Sequence, residues 1–180
     1  ILAALAYTYA PYHLVNVYVR GDALSEFYAF AFYPLIFWIL LRLRDSLSAG
    51  NITLLALAYG GLMLTHNISA LIFSPFVGLW LIAHGLSFTG NRRAAISYLL
   101  YAISGLGVGL AISAWYWLPA LLEGKYAQLE HQTTGYLNYS NHFRGLDLVQ
   151  TSPLFEYAIE TGQTPFVMGL AQAVLALVGA

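Results

Sequence analysis

The sequence predicts an all-α protein, a polytopic bundle of membrane-spanning helices, and three observations carry that expectation. Only 8% of residues are charged while 59% are hydrophobic, against about a quarter charged in an ordinary soluble domain. The apolar residues come in continuous runs, several near the roughly 20 residues that a helix needs to cross a bilayer. Arg42, Arg44, Arg92 and Arg93 stand near the ends of those runs. Backbone in lipid must satisfy its own hydrogen bonds, so only helices and closed barrels cross. The runs do not alternate in and out as barrel strands do, so helices are expected.

Taken in order, the first apolar stretch is Ile1 to about Ala10, read as the tail of a span. The second, Phe27 to Leu43, is a complete span. The third and fourth share Ile52 to about Leu86 and are parted by Thr65-His66-Asn67; the third arm is short. The fifth is expected as one run from Ala94 to Leu122, and a sixth begins near Phe166. This gives five to six spans in a single transmembrane domain over residues 1–180, with an outer segment at 11–26 and an outer loop at 123–164. Both ends lie in apolar runs, so a piece of a longer membrane protein is expected.

Orientation follows from Arg42 and Arg44 after the second run and Arg92 and Arg93 before the fifth. The positive-inside rule puts both pairs in the cytoplasm, and the outer segment, the Thr65-His66-Asn67 turn and the 123–164 loop on the other side. Tyr7, Tyr9, Tyr12 and Tyr18, and again Trp115, Tyr116 and Trp117, suit the headgroup level. Gly105 and Gly109 have the GxxxG spacing that lets helices approach closely. A nucleotide-binding reading of the same glycines fails because no strand precedes them. A net charge of −1 offers no basic field for nucleic acid, and the lack of cysteine excludes disulfides and thiolate chemistry.

The densest polar group is the outer segment. A helix over residues 12–20 would put His13, Asn16 and Arg20 on one face, and Gly21 would end it. Asp22 would then cap the next helix, with Glu26 in its first turn. Two readings stand side by side. In the first, the carboxylates are ordinary helix-start residues, with Arg20 paired to Glu26 or to lipid phosphate. Alternatively Arg20 grips a phosphate and Asp22 or Glu26 acts as base or metal ligand, a divalent metal ion being the cofactor they could hold. His66 and Asn67 form a second candidate, either a plain turn or a further wall of the same site. The long loop holds Lys125, Glu130, His131, His142, Arg144, Asp147, Glu156 and Glu160, with Tyr136, Tyr139, Phe143 and Phe155 as aromatic surface, and no zinc spacing.

Three stretches resemble a family of bacterial and archaeal multi-span proteins labelled 6-pyruvoyl-tetrahydropterin synthase-related membrane proteins: Pro11 to Leu35, Gly61 to Leu71 and Ala114 to Glu123. The resemblance implies an architecture similar to GT-C glycosyltransferases, which take sugars from polyprenyl-phosphate carriers on the outer face. It matches Arg20, Glu26, His66, Asn67 and Pro119 to family-typical positions. It implies a lipid-linked sugar donor and membrane lipid as partners, and a multi-pass protein of a prokaryotic plasma membrane. The expectation is sugar transfer with Asp22 and Glu26 catalytic and Arg20, His13, His66 and Asn67 binding substrate. A transporter or lipid flippase, and a noncatalytic membrane scaffold, remain as alternatives.

Overall fold

In the computed structural model the described residues are 1–18, 21, 23–88, 90–126 and 167–179, with 134, 138 and 149 as isolated positions. Among them the backbone forms helices, a 3₁₀ turn at Gly124–Tyr126 and one isolated bridge between Val149 and Met168. The helices are α1 (Leu2–Thr8), α2 (Pro11–Tyr18), α3 (Leu24–Asp45), α4 (Ala49–Thr65), α5 (Asn67–Leu86), α6 (Arg92–Ile112), α7 (Ala114–Leu122) and α8 (Leu170–Gly179). The protein is thus an all-α helical membrane protein, and α3, α5 and α6, at 22, 20 and 21 residues, are long and apolar enough to cross a membrane. The short third arm is α4, 17 residues and about 26 Å long.

Two compact units result, Ile1–Phe27 with Ala127–Ala180, and Tyr28–Tyr126. In the second unit the turns follow from local polar chemistry. Ser48 Oγ accepts the Asn51 amide at 3.2 Å and so caps α4, while the Asn51 side chain donates to the Ser46 carbonyl at 2.9 Å. These bonds satisfy donors and acceptors that a helix end leaves open. Asn91 caps α6 in the same way, accepting from Ala94 N at 3.1 Å. The expected fifth run is divided: Ser113 separates α6 from α7, its hydroxyl donating to the carbonyls of Gly109 and Leu110 at 3.0 and 3.1 Å. A serine bonding back to the preceding turn bends a helix, and hydropathy does not register it.

Ile36, Ile39, Leu40 and Leu43 of α3 meet Leu55 and Leu62 of α4, Phe73 and Val77 of α5, and Tyr98 and Ala102 of α6 in one buried cluster. The outer faces stay apolar: Leu71 is 74% exposed beside Ala70, which is fully buried. A bundle with leucine on its outside is suited to lipid, where such a surface costs nothing. The closest approach is between α4 and α6. A Cβ on Gly109 would lie 2.6 Å from the Ala56 carbonyl oxygen, and one on Gly60 would lie 3.0 Å from the Gly109 oxygen. The glycine spacing in α6 therefore serves close packing, as the sequence predicts.

An aromatic ladder ties α3 to α5. Tyr33 stacks on Phe73 at 4.3 Å, Phe37 meets Trp80 at 4.6 Å, and Trp80 stacks on His84 at 4.2 Å. It ends at Arg44, whose Nη1 lies 3.1 Å from His84 Nδ1. The ends of α3 and α5 and, through Phe88 and Tyr98 at 5.7 Å, the start of α6 come together there. Arg42, Arg44, Arg92 and Arg93 accordingly mark one end of the unit, and the His66 turn marks the other.

Candidate functional site

The first unit is built around α2. Pro11 opens the helix, where its missing N–H is no loss and its fixed φ fits. The helix stops at Tyr18, and Gly21, with φ of 65°, takes the left-handed conformation that glycine adopts without strain. The next helix starts at Leu24, one residue later than Asp22 as its cap would require, so the flanking position is Ala23. Glu26 falls in the first turn, as expected. Arg20 and Asp22 lie outside the described residues, as do Glu130, His131, His142, Arg144, Asp147, Glu156 and Glu160 and the aromatic residues of that loop.

A polar contact joins the two helices of this segment within the unit. The Tyr12 hydroxyl donates to Glu26 Oε1 at 3.0 Å. The pair is fourteen residues apart in sequence, so the contact ties α2 to the first turn of α3. The sequence gives no direct signal for it beyond a tyrosine and a glutamate flanking a glycine turn. A hydrogen bond from tyrosine to a carboxylate is charge-assisted and fixes the orientation of the acceptor.

Tyr12 also lines a cavity of about 560 Å³, with Pro11, Val167, Met168 and Ala176 among its walls. The cavity is apolar almost throughout. It forms where α8 docks on the first two helices: Gln172 Nε2 donates to the Ala6 carbonyl at 3.2 Å, and Gly169 packs so close to Pro11 that a Cβ would meet its ring at 2.9 Å. A tyrosine–carboxylate pair thus stands at the rim of an apolar pocket.

His13 and Asn16 share a face of α2, as their spacing predicts, and that face is buried. His13 is 9% exposed and meets the Tyr7 ring edge-on at 4.8 Å. Burial pushes its pKa below the usual histidine range, partly offset by a hydrogen bond to the Thr8 backbone. Its place is between helices, against Tyr7 of α1.

His66 and Asn67 belong to the second unit. His66 closes α4 and opens α5, with extended backbone at φ −157°. Its Nδ1 accepts the Ser69 amide at 3.2 Å and lies 2.8 Å from Ser69 Oγ. This is N-capping by an imidazole in place of the usual Ser, Asp or Asn. The capping bond requires the tautomer with Nδ1 unprotonated and the proton on Nε2. Asn67 is the first residue of α5 and half-buried.

Among the described residues no three His, Asp or Glu side chains converge as a metal site would need. Glu26 is the described carboxylate of the candidate site, and a second ligand from Asp22 rests on the sequence alone.

The profile of one protein family, described as 6-pyruvoyl-tetrahydropterin synthase related domain, membrane protein, matches residues 1–180. No curated protein and no solved structure matches the chain.

Proposed function

The chain belongs to this family of membrane proteins, and from that premise we propose that it transfers a sugar from a polyprenyl-phosphate donor to an acceptor hydroxyl on the extracytoplasmic face of a prokaryotic plasma membrane. The observation that carries the reading is the Tyr12–Glu26 pair at 3.0 Å beside an apolar cavity of about 560 Å³. A lipid-linked sugar needs an apolar channel for its tail and a polar rim for its headgroup, and both lie in one unit.

In the proposed reaction the acceptor hydroxyl gives its proton to the Glu26 carboxylate and its oxygen attacks the anomeric carbon. The bond from that carbon to the phosphate oxygen breaks, and the electron pair leaves with the polyprenyl phosphate. Arg20 would bind the departing phosphate, as a planar guanidinium does well. Tyr12 keeps the carboxylate oriented for the proton it must take. Asp22 is the alternative base, and with Glu26 it would be the pair to hold a divalent metal ion; such an ion would add charge stabilisation at the phosphate.

Transport or flipping is less well supported. Transporters place unwound backbone near the membrane midplane, whereas the break at His66 falls between helices of 17 and 20 residues and is closed by its own cap.

The test is transfer from labelled polyprenyl-phosphate sugars by the full-length protein in lipid, compared with Glu26→Gln, Tyr12→Phe and Arg20→Ala. Glu26→Gln is expected to abolish transfer without changing the melting temperature. Tyr12→Phe should lower it by about tenfold or more, the scale of one hydrogen bond to a charged group. Undiminished transfer in Glu26→Gln, or no transfer from any donor by a folded protein, overturns the proposal.

A further inference from the structure

The arginine end of the second unit is not uniform. Arg42 lies over the Trp38 ring at 4.8 Å, and Arg44 lies over Phe88 at 5.1 Å and against His84 at 3.1 Å. Among the described residues, Arg92 and Arg93 have neither an aromatic face nor an acidic partner, and both are exposed. They also occupy the first turn of α6, which holds no acidic residue. Positive side chains there add to the positive end of the helix dipole, so an anion at this point is stabilised by both.

Directly along the helix from Arg92 runs an apolar groove of about 560 Å³ between α5 and α6. Its walls include Gly78, Ile82 and Gly85 from α5 and Ala95, Leu99 and Ile103 from α6. Arg92 precedes those three α6 residues by three, seven and eleven positions, which is one face of a helix. Arg92 therefore lies on the groove's face of α6, about one turn before the groove begins at Ala95. Gly78 lines the groove, and a Cβ there would meet nothing within 4 Å, so this position faces open space. From Ala95 to Ile103 the groove runs about 12 Å along α6, against the roughly 15 Å that one leaflet contributes to a bilayer's hydrocarbon core.

We infer that this groove is a binding site for an anionic glycerophospholipid of the leaflet on the arginine side, with an acyl chain lying along Gly78 and Leu99 and the headgroup phosphate at Arg92 and the α6 N-terminus. The occupant is a lipid and not a soluble anion because the cationic residues Arg92 and Arg93 lie beyond one end of a slot lined by apolar residues. Its headgroup is anionic because, among the described residues, Arg92 and Arg93 make no ion pair. The site is separate from the Glu26 region and does not depend on the activity proposed there.

The test uses the purified full-length protein in detergent, given an equimolar mixture of phosphatidylglycerol and phosphatidylcholine with identical chains, and reads bound lipid by native mass spectrometry. Phosphatidylglycerol is expected to be retained in preference. Arg92→Gln should reduce that preference about fivefold, the effect of one arginine at a membrane surface. Gly78→Leu fills the slot and should remove both lipids, while Gly107→Leu, at another open glycine of α6 outside the groove, should leave retention unchanged. If Gly78→Leu fails to fold, the Arg92→Gln preference decides. Equal retention of the two lipids by the unaltered protein, or retention undisturbed by Gly78→Leu, overturns the inference. So does inorganic phosphate alone raising the melting temperature as much as phosphatidylglycerol does.

Discussion

At the seam between α4 and α6 the chain brings backbones together by leaving side chains out, whereas around α2 it buries polar side chains and has to satisfy them. Gly60, Gly105 and Gly109 let the two helices touch through carbonyl oxygens and the side chain of Leu55. Around α2, His13 and Asn16 are buried and Tyr12 reaches over to Glu26. In lipid the first arrangement gains from dispersion contacts that any apolar neighbour would otherwise supply. The second gains nothing from burial, since a polar group taken from water costs free energy until it is bonded. A chain retains such an arrangement where orientation of polar groups is needed, which is what the chemistry proposed at Glu26 would use.

The seam is where a substitution should cost most. Gly109→Ala would set a methyl group 2.6 Å from the Ala56 carbonyl and 3.0 Å from the Gly60 nitrogen, both backbone atoms that cannot swing aside. It should destabilise the protein by about 3 kcal/mol. Gly107→Ala, two residues away in open space, should instead stabilise by about 0.5–1 kcal/mol through helix propensity. Melting in detergent reads both. Equal effects of the two would mean that α4 and α6 are not in backbone contact, and the contrast between the regions would lose its first half.

Much of this seam was legible beforehand, because GxxxG spacing and the length of Phe27 to Leu43 are properties of the chain alone. The structure extends that span only to Leu24–Asp45. The arginine pairs likewise marked the end of the unit where they gather. What was not legible depends on side chains meeting across a turn. Tyr12 and Glu26 are joined across a turn that the glycine permits but does not dictate. His13 could be placed on a helix face from its spacing, yet whether that face met water or protein depends on Tyr7 and on how α1 and α2 pack. The division at Ser113 was hidden because a serine within an apolar run changes mean hydropathy little while bonding to two carbonyls. Arg44 on His84 was hidden for the same reason as Tyr12 on Glu26, forty residues of chain separating the partners.

His66 sharpens the comparison from the other side, since it is polar and yet serves the fold. Its Nδ1 caps α5 through Ser69, so His66→Ala should cost about 1 kcal/mol, the usual worth of an N-cap. His66→Asn, a strong capping residue, should recover most of it. Were His66 instead part of the substrate site, His66→Asn would restore the melting temperature and still lose transfer. Recovery of both would leave it a cap.

The smallest effect expected is a pH dependence from His13. Burial lowers its pKa in the folded protein, with the Thr8 hydrogen bond acting the other way. The unfolded chain binds a proton at about pH 6.5, the ordinary histidine value, while the folded one remains neutral to lower pH. Between those two values the unfolded state therefore holds more protons, and stability rises with pH there and falls as the solution is acidified below about 6.5. The slope from one group cannot exceed about 1.4 kcal/mol per pH unit. Unfolding measured between pH 5 and 8 should show this loss on acidification, and His13→Asn should reduce the slope. If acid stabilises the protein relative to His13→Asn, His13 carries its proton in the fold and faces an anion. The polar face of α2 would then be part of the site itself and not the support beneath it.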